Sequence, residues 1–353
     1  MKYFLRLHWL AGCLFLLMTA CSSVKTFTLE IQEPASITLP VTTQNVVVLN
    51  NAGIQPSNQS VFRQYKRESY QAHPVEFDTM AWVAVYTIAD VLSESGFFEN
   101  IEVYTRPIRE DNDFLTQNNL REDILTDFLT DLDYDMIISV DRLVLSINEI
   151  VHPVIIGDDK GIKNVNLTTH GLLSCGIYTK NGQSSPLTTF NMLDSLVYNS
   201  FIEGDSVEIF KSLPESLGRV LAVFLAETTA GSFIPSWTRA ERVLFTSANA
   251  RMKEAYRYAG AEKWNEAVVI WKSLLERKNK AIDNAKLSSN LAVAYEMKAD
   301  FSEALRWAEQ SQAYYKEVGS SVPPKELERI QGYVTALEKR IKDNRILDMQ
   351  LGI

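Results

Sequence analysis

Val46-Val47-Val48-Leu49 is a continuous, mostly β-branched apolar run, the mark of a strand buried on both faces. Asp78 stands where it would cap a helix over Met80 to Leu92, a stretch apolar almost all round and therefore expected to be buried. Gly96 suits the C-terminal cap of that helix. Ile101 to Tyr104 reads as a short strand. From Leu120 to Leu132, Ile124, Leu125, Phe128, Leu129 and Leu132 share one face, which predicts an amphipathic helix. Met136 to Ile147 reads as a long strand. The order strand, helix, strand, helix, strand predicts an α/β layered unit.

Alternation then takes over. Val165, Leu167, Thr169, Gly171, Leu173, Cys175 and Ile177 occupy every second position. Lys180-Asn181-Gly182-Gln183 offers an Asn-Gly turn, and Leu187 to Tyr198 returns as a second strand, so a β-hairpin completes or extends the sheet. Ser212 with Glu215 forms a capping box ahead of the stripe Leu213, Leu217, Val220, Leu221 and Phe224. Gly231 and Pro235 close that helix and mark a domain boundary.

Past Ala248 the rhythm becomes helical and repeats itself. One copy holds Ala255, Tyr258, Trp264, Ala267, Trp271 and Leu274; the next holds Ala292, Tyr295, Phe301, Ala304 and Ala308. In both, Ala-x-x-Tyr is followed six residues later by an aromatic and then by x-x-Ala, at a separation of 37 residues. Small residues suit the close crossing of paired helices, and aromatics fill the gaps between pairs. This resembles the tetratricopeptide repeat, lengthened by three from its usual ~34 residues. Arg251 and Glu254 depart from the pattern, and neither copy has the closing Pro. Pro323-Pro324 open a final helix whose stripe of Leu327, Ile330, Val334, Leu337 and Ile341 suits a cap on the stack or a partner helix. If the usual groove geometry holds, Arg251, Arg257, Asn290 and Glu296 on the first helix of each pair are the partner-binding residues.

The first twenty residues are of another kind. Lys2 and Arg6 precede an apolar stretch from Leu7 to Met18, followed by small Thr19 and Ala20. This is a signal segment, too short to span a bilayer comfortably. Leu10-Ala11-Gly12-Cys13 spells a lipobox better, but Met18-Thr19-Ala20-Cys21 follows a complete apolar region and precedes polar Ser22-Ser23. Position favours Cys21 as the lipidated residue; the plain alternative is a secretory signal cut near Ala20. Ser22 in place of Asp points to the outer membrane, and the lack of an acidic run in 22–28 to the periplasmic side. The net charge of −9 disfavours nucleic acid as a partner. Cys175 is the only cysteine outside the leader region, which excludes a disulfide framework and a multi-cysteine zinc site.

Catalytic signatures are missing: there is no Gly-x-Ser-x-Gly elbow, no phosphate-binding glycine loop and no His-Glu-x-x-His. His73, His152 and His170 are scattered, and Asp111-Asn112-Asp113 and Asp158-Asp159-Lys160-Gly161 lack the ligand spacing of a calcium loop. No cofactor or metal is expected. The leader, the wording from Asp90 through Ser95-Gly96-Phe97-Phe98, Asp194-Ser195-Leu196 and Trp264-Asn265-Glu266-Ala267 together resemble an uncharacterised family of bacterial outer-membrane lipoproteins. That family carries a domain of unknown function followed by tetratricopeptide-like helices, and the resemblance implies no activity. The layout of Val46–Leu49, the helix ending at Ser95 and Asp133 to Ile138 is also faintly similar to periplasmic modules of secretion-channel lipoproteins.

The expected fold class is α+β. A signal peptide (1–20) and a tether (21–40) precede an α/β sheet unit with a β-hairpin (41–235), and an all-α tetratricopeptide-like repeat domain with a capping helix follows (236–345). The expected function is a membrane-anchored periplasmic lipoprotein, not an enzyme, that holds a protein or peptide partner. The alternatives are an envelope hydrolase with an acidic site, or a structural part of an outer-membrane secretion or assembly complex. Replacing Cys21 by Ala is expected to abolish labelling by a fatty-acid analogue and release the chain from membranes, while Cys13→Ala leaves both unchanged.

Overall fold

The computed structural model describes residues 24–65, 68–71, 74–153, 162–180, 186–203, 209–247, 249–277 and 279–353. Cys13, Cys21, His73, Asp158, Asp159 and the Asn181-Gly182 turn lie outside these residues. The chain is mixed α+β and divides into two units. One comprises Pro34–Ser236 with Met349–Ile353; the other comprises Val24–Glu33 with Trp237–Asp348.

The first unit is built on a seven-stranded sheet. Its strands are β2 (Asn45–Asn50), β3 (Val61–Tyr65), β4 (Glu68–Gln71), β5 (Asn100–Tyr104), β6 (Met136–Pro153), β7 (Ile162–Thr179) and β8 (Thr188–Glu203), numbered after β1 (Val24–Glu33) of the other unit. β6 organises them. Along one edge it pairs with β7, antiparallel over its whole length. Its other edge is shared: β2 runs parallel to Met136–Val140, and β3 parallel to Ile147–Ile150. β5 continues beyond β2, β4 beyond β3, and β8 beyond β7.

Between the two neighbours on its shared edge, the backbone of β6 meets a side chain. Leu145 N–H donates to Gln55 Oε1 at 3.0 Å, and Gln55 Nε2 donates to Leu145 C=O at 2.6 Å. The carboxamide thus stands in for a strand residue and pairs both peptide groups of Leu145.

Register along β6 shifts between Val140 and Arg142, a β-bulge. Before it Met136, Ile138 and Val140 enter the core; after it Leu143, Leu145 and Ile147 do. The extra residue, Asp141, changes the parity so that both halves of one strand bury apolar side chains on the same face. That face packs on α1 (Met80–Ser95) and α3 (Ile209–Gly231). A smaller cluster on the opposite face joins Val47, Leu49, Ile137 and Tyr178 to Leu120, Leu125 and Phe128.

Several local expectations change. Gly96 does close α1 in the left-handed conformation, at φ 64°. Its N-cap is Thr79, however, and Asp78 accepts from the N–H of Thr79. The helix expected over 120–132 is instead α2 (Glu122–Thr126) followed by a π-helical turn over Asp127–Asp131, which leaves Leu132 exposed. α3 begins at Ile209, ahead of the supposed capping box, and its buried stripe is Leu217, Leu221, Ala222 and Leu225. Val220 and Phe224 face solvent.

Asp141 is wholly buried. Its Oδ1 accepts from Asn51 Nδ2 at 2.9 Å and from Ser139 Oγ at 2.5 Å. Its Oδ2 has no hydrogen-bond partner among the described residues. Burial pushes the carboxyl up to about 6, against the pull of the Asn51 and Ser139 hydrogen bonds. A carboxyl whose folded value lies above its unfolded value near 3.8 holds its proton more tightly when folded. Stability must therefore fall as pH rises through this interval, by at most about 3 kcal/mol from this group. Asp141→Asn is expected to remove that loss: urea denaturation at pH about 4 and about 7 should show the wild type losing stability relative to the variant as pH rises.

Candidate partner-binding site

The second unit opens with a two-stranded sheet of β1 and β9 (Ser236–Phe245). The segment expected to be a tether thus contributes a paired strand from Val24 onward, and the domain expected to be all-α begins with another. Among the described residues five α-helices follow: α4 (Ala250–Gly260), α5 (Trp264–Leu275), α6 (Ala281–Met297), α7 (Phe301–Val318) and α8 (Pro324–Leu351).

α4–α5 and α6–α7 form two helical hairpins with the same turn. Lys263 N–H donates to Tyr258 C=O at 2.9 Å, and Asp300 N–H to Tyr295 C=O at 3.0 Å. Glu262 N–H reaches Ala259 C=O at 3.0 Å, and Ala299 N–H reaches Glu296 C=O at 3.0 Å. Glu262 and Ala299 both take the left-handed backbone, at φ 58° and 59°. Trp264 and Phe301 each start the second helix, and Ala255, Ala267, Ala292 and Ala304 are fully buried. The spacing read from the sequence therefore corresponds to two hairpins of matching backbone.

The first helices of the two hairpins differ in their surroundings. Every residue of α6 from Leu287 to Glu296 is buried. A helix buried all round must be covered on its groove side as well, and here the cover is the chain itself. Leu244 of β9 and Tyr333, Val334 and Leu337 of α8 join the core around α6. Asn290 holds the backbone of Phe245 at both ends: the Phe245 N–H donates to Oδ1 at 2.7 Å, and Nδ2 donates to the Phe245 C=O at 2.7 Å. Arg242 meets Glu296 fork to fork, Nε to Oε2 and Nη2 to Oε1, both at 2.7 Å. Tyr333 donates its hydroxyl to Glu296 Oε2 at 2.8 Å, and its ring lies 4.9 Å from the Arg242 guanidinium carbon. Burial and the adjacent carboxylate push the Tyr333 hydroxyl well above its ordinary value.

The four sequence-derived candidates thus separate. Asn290 and Glu296 are buried, with their polar atoms engaged inside the unit, so neither stands on an open groove. Arg251 and Arg257 are exposed on α4. Arg257 lines a cavity of about 290 Å³ with Glu254, Tyr258, Ala261 and Lys263. A second cavity of about 290 Å³ is lined by residues including Asn249, Met252, Asn279, Asp283 and Lys286. A third, of about 200 Å³, lies beside the clamped strand against Arg242, Ser289, Arg329 and Tyr333. Arg242 carries no signature of its role in the sequence beyond the strand-like composition of 237–245. Among the described residues, no group of three or more His, Cys, Asp or Glu is placed to hold a metal ion, and no helix is long and apolar enough to cross a membrane.

Truncating Arg242 would leave Glu296 buried without the guanidinium that grips both of its oxygens, with the Tyr333 hydroxyl still on Oε2. Arg242→Ala is expected to cost about 3–5 kcal/mol in urea denaturation. Replacing Arg242 and Glu296 together by Met and Leu should recover most of that loss.

Comparison with known proteins adds family membership. No curated protein sequence matches the chain. Among solved structures it is similar to a PelC dodecamer from Paraburkholderia phytofirmans at 10% identity and TM-score 0.22, over 59% of this chain and 96% of that one. It is also similar to a homolog of a neuraminyllactose-binding hemagglutinin from Helicobacter pylori, at 10% identity and TM-score 0.25, over 53% of this chain and 87% of that one. Superpositions this loose carry no fold assignment. Two family models match: residues 253–339 fit one domain of unknown function, DUF6340, and residues 43–245 fit another, DUF8603. The second match spans more than half of the chain, which therefore belongs to the family of the domain of unknown function DUF8603.

Proposed function

We propose that this protein is a lipid-anchored scaffold of the bacterial envelope, held through Cys21 on the periplasmic side of the outer membrane, whose tetratricopeptide-like hairpins bind a peptide or protein partner. The observation that carries the reading is the turn shared by α4–α5 and α6–α7, in which the same closing hydrogen bonds and the same left-handed residue recur at a fixed spacing. Helical hairpins repeated in this way commonly present side chains of their first helices to a partner. The leader sequence supports the anchor, and the missing catalytic motifs favour binding over chemistry.

With α6 covered by β9 and α8, the proposed partner surface is α4 and the cavities beside it. Arg251 and Arg257 remain its candidate contacts. Arg257 and Lys263 beside Glu254 favour a partner segment that brings a carboxylate of its own. Crosslinking in intact envelopes followed by capture of the full chain is expected to return a reproducible protein partner, and Arg257→Glu should reduce its recovery severalfold without changing membrane attachment. Capture of no reproducible partner, or recovery unaffected by Arg257→Glu, counts against this surface.

A further inference from the structure

β8 is an edge strand: it pairs with β7 and with no other strand among the described residues. Edge strands of soluble domains are ordinarily protected by lysine, proline, bulges or short length. β8 has none of these protections. It runs from Thr188 to Glu203 in unbroken register with β7, and its sequence contains no Lys, Arg, Pro or Gly. Its only charged positions are Asp194 and Glu203.

The side chains make the exposure specific. Leu193, Val197 and Phe201 are 72%, 61% and 69% exposed. Residues four apart on a strand share a face. This face is opposite the one that sends Met192 and Leu196 toward the core. The apolar row continues inward, since Leu193 pairs with Leu172 and Leu172 with Val144, both partly buried.

We infer that β8 pairs antiparallel with β8 of a second copy of this chain, about a two-fold axis at Val197, joining the two sheets into one. This inference is independent of the proposed partner surface on α4. The sequence of β8 is self-complementary in that register. Centring the pair on Val197 sets Leu193 of each copy opposite Phe201 of the other and Val197 opposite itself. On the other face Leu196 falls opposite Tyr198, and Asp194 opposite Ser200. No two charged positions are opposed, so strands from two copies of an acidic chain meet where charge is sparse. Apolar cross-strand pairs and a full set of main-chain hydrogen bonds would then cover what a single copy leaves open.

Sedimentation of the full chain in mild detergent at tens of micromolar is expected to give the mass of a dimer. Val197→Lys, which places two like charges on the axis, should halve that mass and leave the thermal melting of the monomer unchanged. Mild oxidation supplies a second readout that does not depend on the lysine variant. Val197→Cys should crosslink to itself well above the wild-type background. Leu193→Cys should crosslink to Phe201→Cys in mixed samples, but not to itself. A monomer across that range overturns the inference, as do oligomers untouched by Val197→Lys and efficient crosslinking of position 193 to itself. Binding of a monomeric chain to lipid vesicles that Val197→Lys abolishes would overturn it in favour of a membrane-facing strand.

Discussion

A peptide group buried in a sheet must find a partner, and β6 buries more of them than any single parallel neighbour can serve. β2 covers its beginning and β3 its end, and the gap between them falls at Leu145. The Gln55 carboxamide closes that gap with one donor and one acceptor. Much of the sheet follows from this arrangement. β7 can run unbroken along the other edge, β5 and β4 find their places outside β2 and β3, and α1 and α3 receive one long apolar face. The bulge at Asp141 keeps that face continuous by changing parity where the neighbours change.

The same device recurs. Gln350 holds the backbone of Ala35 in the first unit, and Asn290 holds that of Phe245 in the second. In each case a primary amide reproduces the hydrogen bonds of a strand neighbour at one residue only, and so pins a segment that no strand continues. In the second unit this pinning lays β9 over α6 and brings Arg242 to Glu296. The buried fork between those two residues is strong evidence of how specifically the segment is seated, but weak evidence of net stability, since removing two charges from water consumes much of what their attraction returns.

Sequence periodicity reveals what local chemistry decides. Val46–Leu49, the helix closed by Gly96 and the paired Ala and aromatic positions of the hairpins are all legible, because burial and close packing select residue type directly. The bulge was also written in the sequence, as a change from even to odd apolar positions between Val140 and Leu143, but a single parity change in a long apolar run has no distinct signature. Interactions between distant residues were not legible. Thr238 reaches Ile31 across 207 residues, and nothing local tells Val24–Glu33 that it has a strand to pair with. The candidate site suffered for the same reason. Helix spacing alone assigns Asn290 and Glu296 to a groove, and the placement of β9 and α8 over α6 is what buries them.

The turns inside the two hairpins have a consequence for how this chain can change over time. Residues 259–263 and 296–300 share no identity at any position, yet the main chain follows one path through both. The path is specified by carbonyls and amides, which every residue here possesses, and by flanking helices that fix where the path must start and stop. Letters within the turn are thus free to drift while the architecture stays put, and the kinship of the two halves survives in the helices on either side.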